Sequence, residues 1–191
     1  MIKVVRGNIV KQQVDAVVNP INADLIFDKG IPSFIRRQGG EIIERQLMRY
    51  YPAKLGNVIV TEAGSLPAKH VLHLVNKEFG ERNSYRSLKL SMMKLLEMVL
   101  SLKLKSVAIP PIYNRFSPEI TANILCDSIS ELLEINPAIK ELDIWIVIFD
   151  REARDIFYQV FRERLDFLLD KNPQSRELPE RGQEQHEKTA P

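Results

Sequence analysis

Val14-Asp15-Ala16-Val17-Val18-Asn19-Pro20-Ile21-Asn22 is the stretch on which the fold turns. The β-branched run from Val14 to Val18 reads as a strand, and Asn19-Pro20 marks its end. A loop then runs to Gly30. Pro32 stands where a first helical turn begins, a place where its missing N–H costs nothing. Strand, loop and helix in that order are the repeating unit of an α/β protein. Upstream, Ile2 to Val5, closed by Gly7, reads as another strand. Downstream, Phe34, Ile35, Ile42, Ile43, Leu47 and Met48 form an apolar stripe through one helix, weakened in its middle by Gly39-Gly40.

The same alternation continues. Asn57 to Thr61 and His70 to Val75 read as strands, and Gly64-Ser65-Leu66-Pro67 between them is turn chemistry, so the two are expected to pair as a hairpin. Leu88, Met92, Leu95, Leu96, Val99 and Leu102 recur at helical spacing and predict a helix from about Ser84 to Leu102. Val107 to Ile109 is a short buried strand stopped by Pro110-Pro111. Ser117-Pro118-Glu119 is a helix start: a capping hydroxyl, a proline, then an acid in the first turn. Leu142 to Phe149 is apolar on both faces and belongs inside a sheet, and a last helix is expected from about Glu152 to Leu169. The expected fold is a three-layer α/β/α sandwich around a mixed, mostly parallel sheet, formed by residues 1–169. From 170 to 191 the chain is rich in Gln, Glu, Arg, Pro and Lys. That composition predicts a charged, disordered tail, because it cannot bury enough apolar surface to offset chain entropy.

With 191 residues the chain suits one domain with a proper core. Its formal net charge of +2, without a concentrated basic stripe, gives no reason to expect nucleic acid as the main partner. The one cysteine, Cys126, sits among Ile124, Leu125 and Ile129 and reads as a buried apolar residue rather than a nucleophile. A chain with one cysteine, no signal-peptide pattern and no run of ~20 apolar residues is expected in the cytoplasm, with no membrane span. His70 and His73 lie on a strand without Cys or acidic partners at ligand spacing, so neither a metal nor a cofactor is expected. Two loops leave strands and feed helices, 19–32 and 110–118. Helix N-termini beside the carboxyl ends of strands are where such folds receive ligands.

Gly7-Asn8-Ile9-Val10 followed by Val14 to Asn22 resembles the opening of a macro domain, where the family typically reads G-D-I-T and then V-D-A-I-V-N-A-A-N. The resemblance continues through Asp28 to Gly40, matching the family's G-G-G-V-D-G-A-I-H-R-A-A-G, and through Gly56 to His73. It implies the macro fold and a pocket for ADP-ribose or a related nucleotide. Some members hydrolyse ADP-ribosyl groups from proteins, deacetylate O-acetyl-ADP-ribose or dephosphorylate ADP-ribose-1″-phosphate.

Residue by residue, the resemblance implies ligand contacts from Asn8 and Ile9, from Asn19, Gly30 and Ile31 in the first loop, from Tyr113, Asn114, Arg115 and Phe116 in the second, and from Phe149 at the end of the last strand. Asn8 replaces an aspartate that accepts from the adenine amino group; it either keeps a weaker version of that contact or is a turn asparagine. Asn22 holds the place of an asparagine that orders a catalytic water, or it caps its own loop. Phe27, Asp28 and Lys29 stand where the family mostly has glycine, and Pro32 stands at the aspartate that assists hydrolysis. A general acid–base worth ~10²–10⁴-fold is therefore missing there, with Asp28 the nearby substitute. The second loop is glycine-free: Tyr113 and Phe116 stack on a base or close the pocket, and Arg115 reaches a phosphate.

The resemblance, with these departures, implies a divergent macro domain expected to bind ADP-ribose or a related nucleotide, with an ADP-ribosylated protein as a possible partner and little or no catalysis. The alternatives are a hydrolase acting on ADP-ribosyl groups or O-acetyl-ADP-ribose, and an interaction or RNA-contacting module.

Overall fold

The structure, a computed structural model, describes residues 1–77, 84–113 and 115–170. The expected tail and Asn114 lie outside the described residues. Six strands form one sheet: β1 (Ile2–Arg6), β2 (Ala16–Asn22), β3 (Val58–Glu62), β4 (His70–Lys77), β5 (Ser106–Ile109) and β6 (Asp143–Ile148). Their order is β1-β6-β5-β2-β4-β3, parallel throughout except for β3, which pairs antiparallel with β4 as the turn chemistry predicts.

Five α-helices cover the two faces: α1 (Gly30–Gly39), α2 (Glu41–Leu47), α3 (Tyr85–Ser101), α4 (Pro118–Ile135) and α5 (Arg151–Leu165). Alternation along β6 shows the layering. Ile144, Ile146 and Ile148 enter the core shared with α3, α4 and α5, whereas Val147 enters the core shared with α1 and α2. This is the expected α/β/α sandwich around a mixed, mostly parallel sheet. Cys126 is fully buried on α4, and burial pushes its thiol up to about 12.

Three elements differ from the sequence expectation: α5 ends at Leu165 instead of about Leu169, because Leu169 bridges to Ile2 on β1, and the other two are β2 and the first helix. β2 does not stop at Pro20 but continues to Asn22, pairing with β4 throughout. Its other neighbour, β5, pairs only with Ala16 and Val17, so Pro20 is not needed as a donor on that side, and a proline is tolerated there. The single helix drawn through Gly39-Gly40 is two. Gly40 (φ 93°, ψ 171°) ends α1 by donating its N–H to Arg36 O at 2.9 Å and turns the chain into α2. The turn also explains why Phe34 and Met48 are 43% and 45% exposed instead of completing an apolar stripe.

Asp15 anchors the entry to β2. Its carboxylate accepts from the N–H groups of Lys105 (2.7 Å) and Ser106 (3.2 Å) and pairs with Lys69 Nζ at 2.7 Å. The Lys69 hydrogen bond leads the contacts that hold its pKa below the usual carboxylate value. At the outer edge, Ile2 exchanges backbone hydrogen bonds with Leu168 and Asp170, so the chain after α5 covers β1.

Candidate functional site

Because five strands are parallel, the carboxyl ends of β1, β2, β5 and β6 come out on one edge of the sheet. A cleft of about 330 Å³ opens there, lined by Gly7, Asn8 and Ile9 after β1, Ile31 and Phe34 of α1, Pro110, Pro111 and Tyr113 after β5, and Val147 to Asp150 at the end of β6. Its walls are mainly apolar, and three polar side chains break them: Asn8, Tyr113 and Asp150.

Each polar group has a local reason for its position. Asn8 caps the short 3₁₀ turn Ile9–Lys11, its Oδ1 accepting from Val10 N–H at 3.2 Å. Its carbonyl accepts from Gln12 Nε2 at 2.6 Å. Asp150 caps α5, its Oδ1 accepting from Ala153 N–H at 2.8 Å. Tyr113 packs edge-on against Phe157 with ring centroids 6.5 Å apart. Burial, and then the Asp150 carboxylate, raise its phenol above the ordinary value. Phe149 is 78% exposed at the mouth although it leaves a buried strand. Phe34 faces the same cleft and carries Arg37 over its ring at 4.9 Å.

The structure therefore brings Asn8, Ile9, Ile31, Tyr113 and Phe149 to one cavity. Gly30 precedes Ile31 as the first residue of α1 and is exposed. Arg115 is exposed in the turn before α4, and Phe116 packs, half-buried, on the core beneath α3 to α5. Phe116 thus closes its loop from below instead of facing the cleft.

The first loop is turned inward. Asn19 has no exposed surface, and its Nδ2 lies 2.9 Å from His73 Nδ1. Phe27, where the resemblance puts glycine, is buried edge-on against the same imidazole, ring centroids 6.1 Å apart. Asn22 Oδ1 accepts from Ile26 N–H at 3.0 Å, so its oxygen holds its own loop together. Asp28 is exposed. Neither Asn22 nor Asp28 lines the cleft.

Sequence reasoning missed Phe34, which it assigned to the core, the diproline Pro110-Pro111, which it read only as a strand stop, and Asp150. Asp150 carried a signal: an aspartate between an apolar strand and a helical pattern is a capping residue, and caps at strand ends face the ligand edge of such sheets.

A sequence model of the macro domain matches residues 18–124. A macro domain-containing protein of Caldanaerobacter subterraneus is 30% identical over 171 residues, 85% of this chain and 96% of its own. A Pantoea vagans protein named O-acetyl-ADP-ribose deacetylase 1 is 30% identical over 168 residues, 83% of this chain and 97% of its own. Among solved structures, the Trypanosoma brucei macrodomain in complex with ADP-ribose superposes with a TM-score of 0.72 at 22% identity, covering 81% of this chain and 66% of that one. With the family's sequence pattern over more than half its length, and relatives matched nearly end to end, the chain belongs to the macro domain family.

Proposed function

We propose that this chain binds ADP-ribose or a related nucleotide in the cleft between β1, β5 and β6, and that it is a binding module with little or no catalysis. The observation that carries the reading is the cleft itself. Its volume of about 330 Å³ falls in the ~300–1,000 Å³ range of small-molecule sites, mostly apolar with a few polar groups. It sits beside the α1 N-terminus, whose free N–H groups suit a phosphate. The Trypanosoma relative holds ADP-ribose in the same fold, which supports the ligand class. An ADP-ribosylated protein is the macromolecular form of that ligand. A cytoplasmic setting belongs to the same reading; among the described residues no helix is long and apolar enough to cross a membrane.

Three features of the first loop support the reading of weak catalysis. Pro32 has no acid–base group, Asp28 lies away from the cleft, and Asn22 has its oxygen committed to Ile26. A hydrolase reading is favoured by the deacetylase name of the Pantoea relative. O-acetyl-ADP-ribose and an ADP-ribosylated protein should both remain intact with the purified chain over hours. Turnover that Asn22→Ala abolishes would replace the binding-module reading with the hydrolase one.

Phe149 offers a clean test of binding. Being 78% exposed, it contributes little to the core, so Phe149→Ala should leave stability unchanged. Base–aromatic stacking is worth ~1–3 kcal/mol, and calorimetric titration should show the variant binding ADP-ribose about ten-fold or more weakly. Equal affinity would remove Phe149 from the site.

A further inference from the structure

We propose that Phe34 is a second base-stacking residue of the cleft, and that it and Phe149 grip the two sides of the nucleotide's base. This rests on the nucleotide reading above and adds a contact to the same site. Phe34 is 43% exposed, although its neighbour Ile35 is fully buried. In the family pattern that Asp28 to Gly40 match, its place is held by alanine, so the ring is this chain's own addition.

The two rings reach the cleft from different elements. Phe34 and Ile31, three residues apart on α1, share a helix face, and both line the cavity. α1 packs against the 3₁₀ turn Ile9–Lys11, which carries Ile9 to the same wall. On β6, Val147 points into the core shared with α1 and α2. Side chains alternate along a strand, so Phe149, two residues on, leaves β6 toward the α1 layer. Both rings thus project into the space at the end of the sheet.

Phe34 is backed by a cation. Arg37, one turn further along α1, sets its guanidinium 4.9 Å from the ring centroid. Ile31 lies one turn nearer the helix N-terminus, at the cleft. Arg37 therefore covers the side of the ring toward the end of the helix and leaves the other side to the cavity. Among the described residues neither Phe34 nor Phe149 stacks on another aromatic ring. Each offers a flat apolar face to a planar ligand, and every base has a π-face to meet it. The walls around them, Ile9, Ile31, Pro110 and Pro111, are apolar and suit a ring rather than a phosphate.

The test is calorimetric titration of the full chain with ADP-ribose, run on the native protein and on Phe34→Ala, Phe34→Leu and Phe34→Tyr. The strength of base–aromatic stacking predicts a loss of about ten-fold or more in Phe34→Ala. Phe34→Leu keeps apolar cover on α1 without a flat π-face, and should still bind about three-fold or more weakly. Phe34→Tyr keeps the ring and should bind within about two-fold of the native chain. Native affinity in Phe34→Ala or in Phe34→Leu would overturn the stacking role while leaving the nucleotide reading standing. A loss in Phe34→Tyr equal to that in Phe34→Ala would do the same, because it would mark the residue as structural. Tighter binding by Phe34→Ala would also overturn the role, since the ring would then occupy the place of the base. Absence of heat from the native chain at millimolar ADP-ribose would overturn the nucleotide reading and the stacking role together.

Discussion

Lowering the pH from 7.5 to 5 should cost the fold about 2 kcal/mol through His73 alone. The imidazole has no exposed surface, and burial lowers its pKa from 6.5 to about 3. Its hydrogen bonds agree with a neutral ring. An amide nitrogen only donates, so Nδ1, 2.9 Å from Asn19 Nδ2, accepts. Thr61 Oγ1 donates to Glu62 O at 3.0 Å and therefore accepts from Nε2–H at 3.0 Å. A proton added at Nδ1 would face the Asn19 amide N–H. The unfolded chain takes up that proton as pH falls through 6.5, and the native chain does not until about 3. The unfolded state thus binds more protons in this window, and stability declines as pH falls through it. Asp15 acts in the same direction, because its folded pKa is depressed, but only as pH falls into the carboxylate range. The interval above pH 5 therefore isolates His73. Urea unfolding at pH 7.5 and 5 measures the loss, and in His73→Gln, which does not titrate, the difference should fall below about 1 kcal/mol. An equal loss in the native chain and the variant would show that the imidazole is not held neutral by the core.

The second large effect is steric. Gly64, in the turn between β3 and β4, has φ +58°, and a Cβ there would lie 2.0 Å from the carbonyl oxygen of Gly39 and 3.0 Å from Ile42. That carbonyl also accepts from Ser65 N–H at 3.0 Å, joining the hairpin turn to the end of α1. Gly64→Ala must enter the left-handed region, push the α1–α2 junction away and lose that hydrogen bond. The summed cost is ~3–5 kcal/mol. Gly30→Ala provides the comparison: the backbone is also left-handed, at φ +62°, but nothing lies within 4 Å of the added methyl. It should cost only ~1–2 kcal/mol. Denaturant midpoints of the two variants give the difference, and similar losses for both would mean that the Gly39–Gly64 approach does not constrain the fold.

Most of the architecture was legible because its signals are local. Ser117-Pro118 starts α4 where capping chemistry placed it, α3 begins just after Ser84 where the apolar spacing put it, and the doubly apolar run at 142–149 lies inside the sheet as β6, between β1 and β5. The places that were not legible depend on neighbours. Pro20 reads as a strand end in isolation, and only the short overlap of β2 with β5 allows it inside a strand. The Gly39-Gly40 pair announced a weak helix, but the full break depends on Gly40 adopting a positive φ.

The site shows the same division. Asn8, Ile9, Ile31, Tyr113 and Phe149 were found through the resemblance, which transfers positions along the chain. It does not transfer which way a replaced side chain turns. Phe27 in a glycine position turned into the core against His73, and Asn19 followed it into the same internal network. Asp150 went unnoticed because its helix-capping role hides a second one at the cavity.

The most direct test of the account is hydrogen–deuterium exchange of the full chain with and without millimolar ADP-ribose. Bound nucleotide should slow exchange of the backbone amides at residues 7–9, 31, 34, 113 and 147–150, the amide-bearing residues that line the cleft, and leave the outer face of α3 and α4 unchanged. Protection confined to another part of the chain, or none at all at saturating ligand, would contradict the placement of a nucleotide in this cleft.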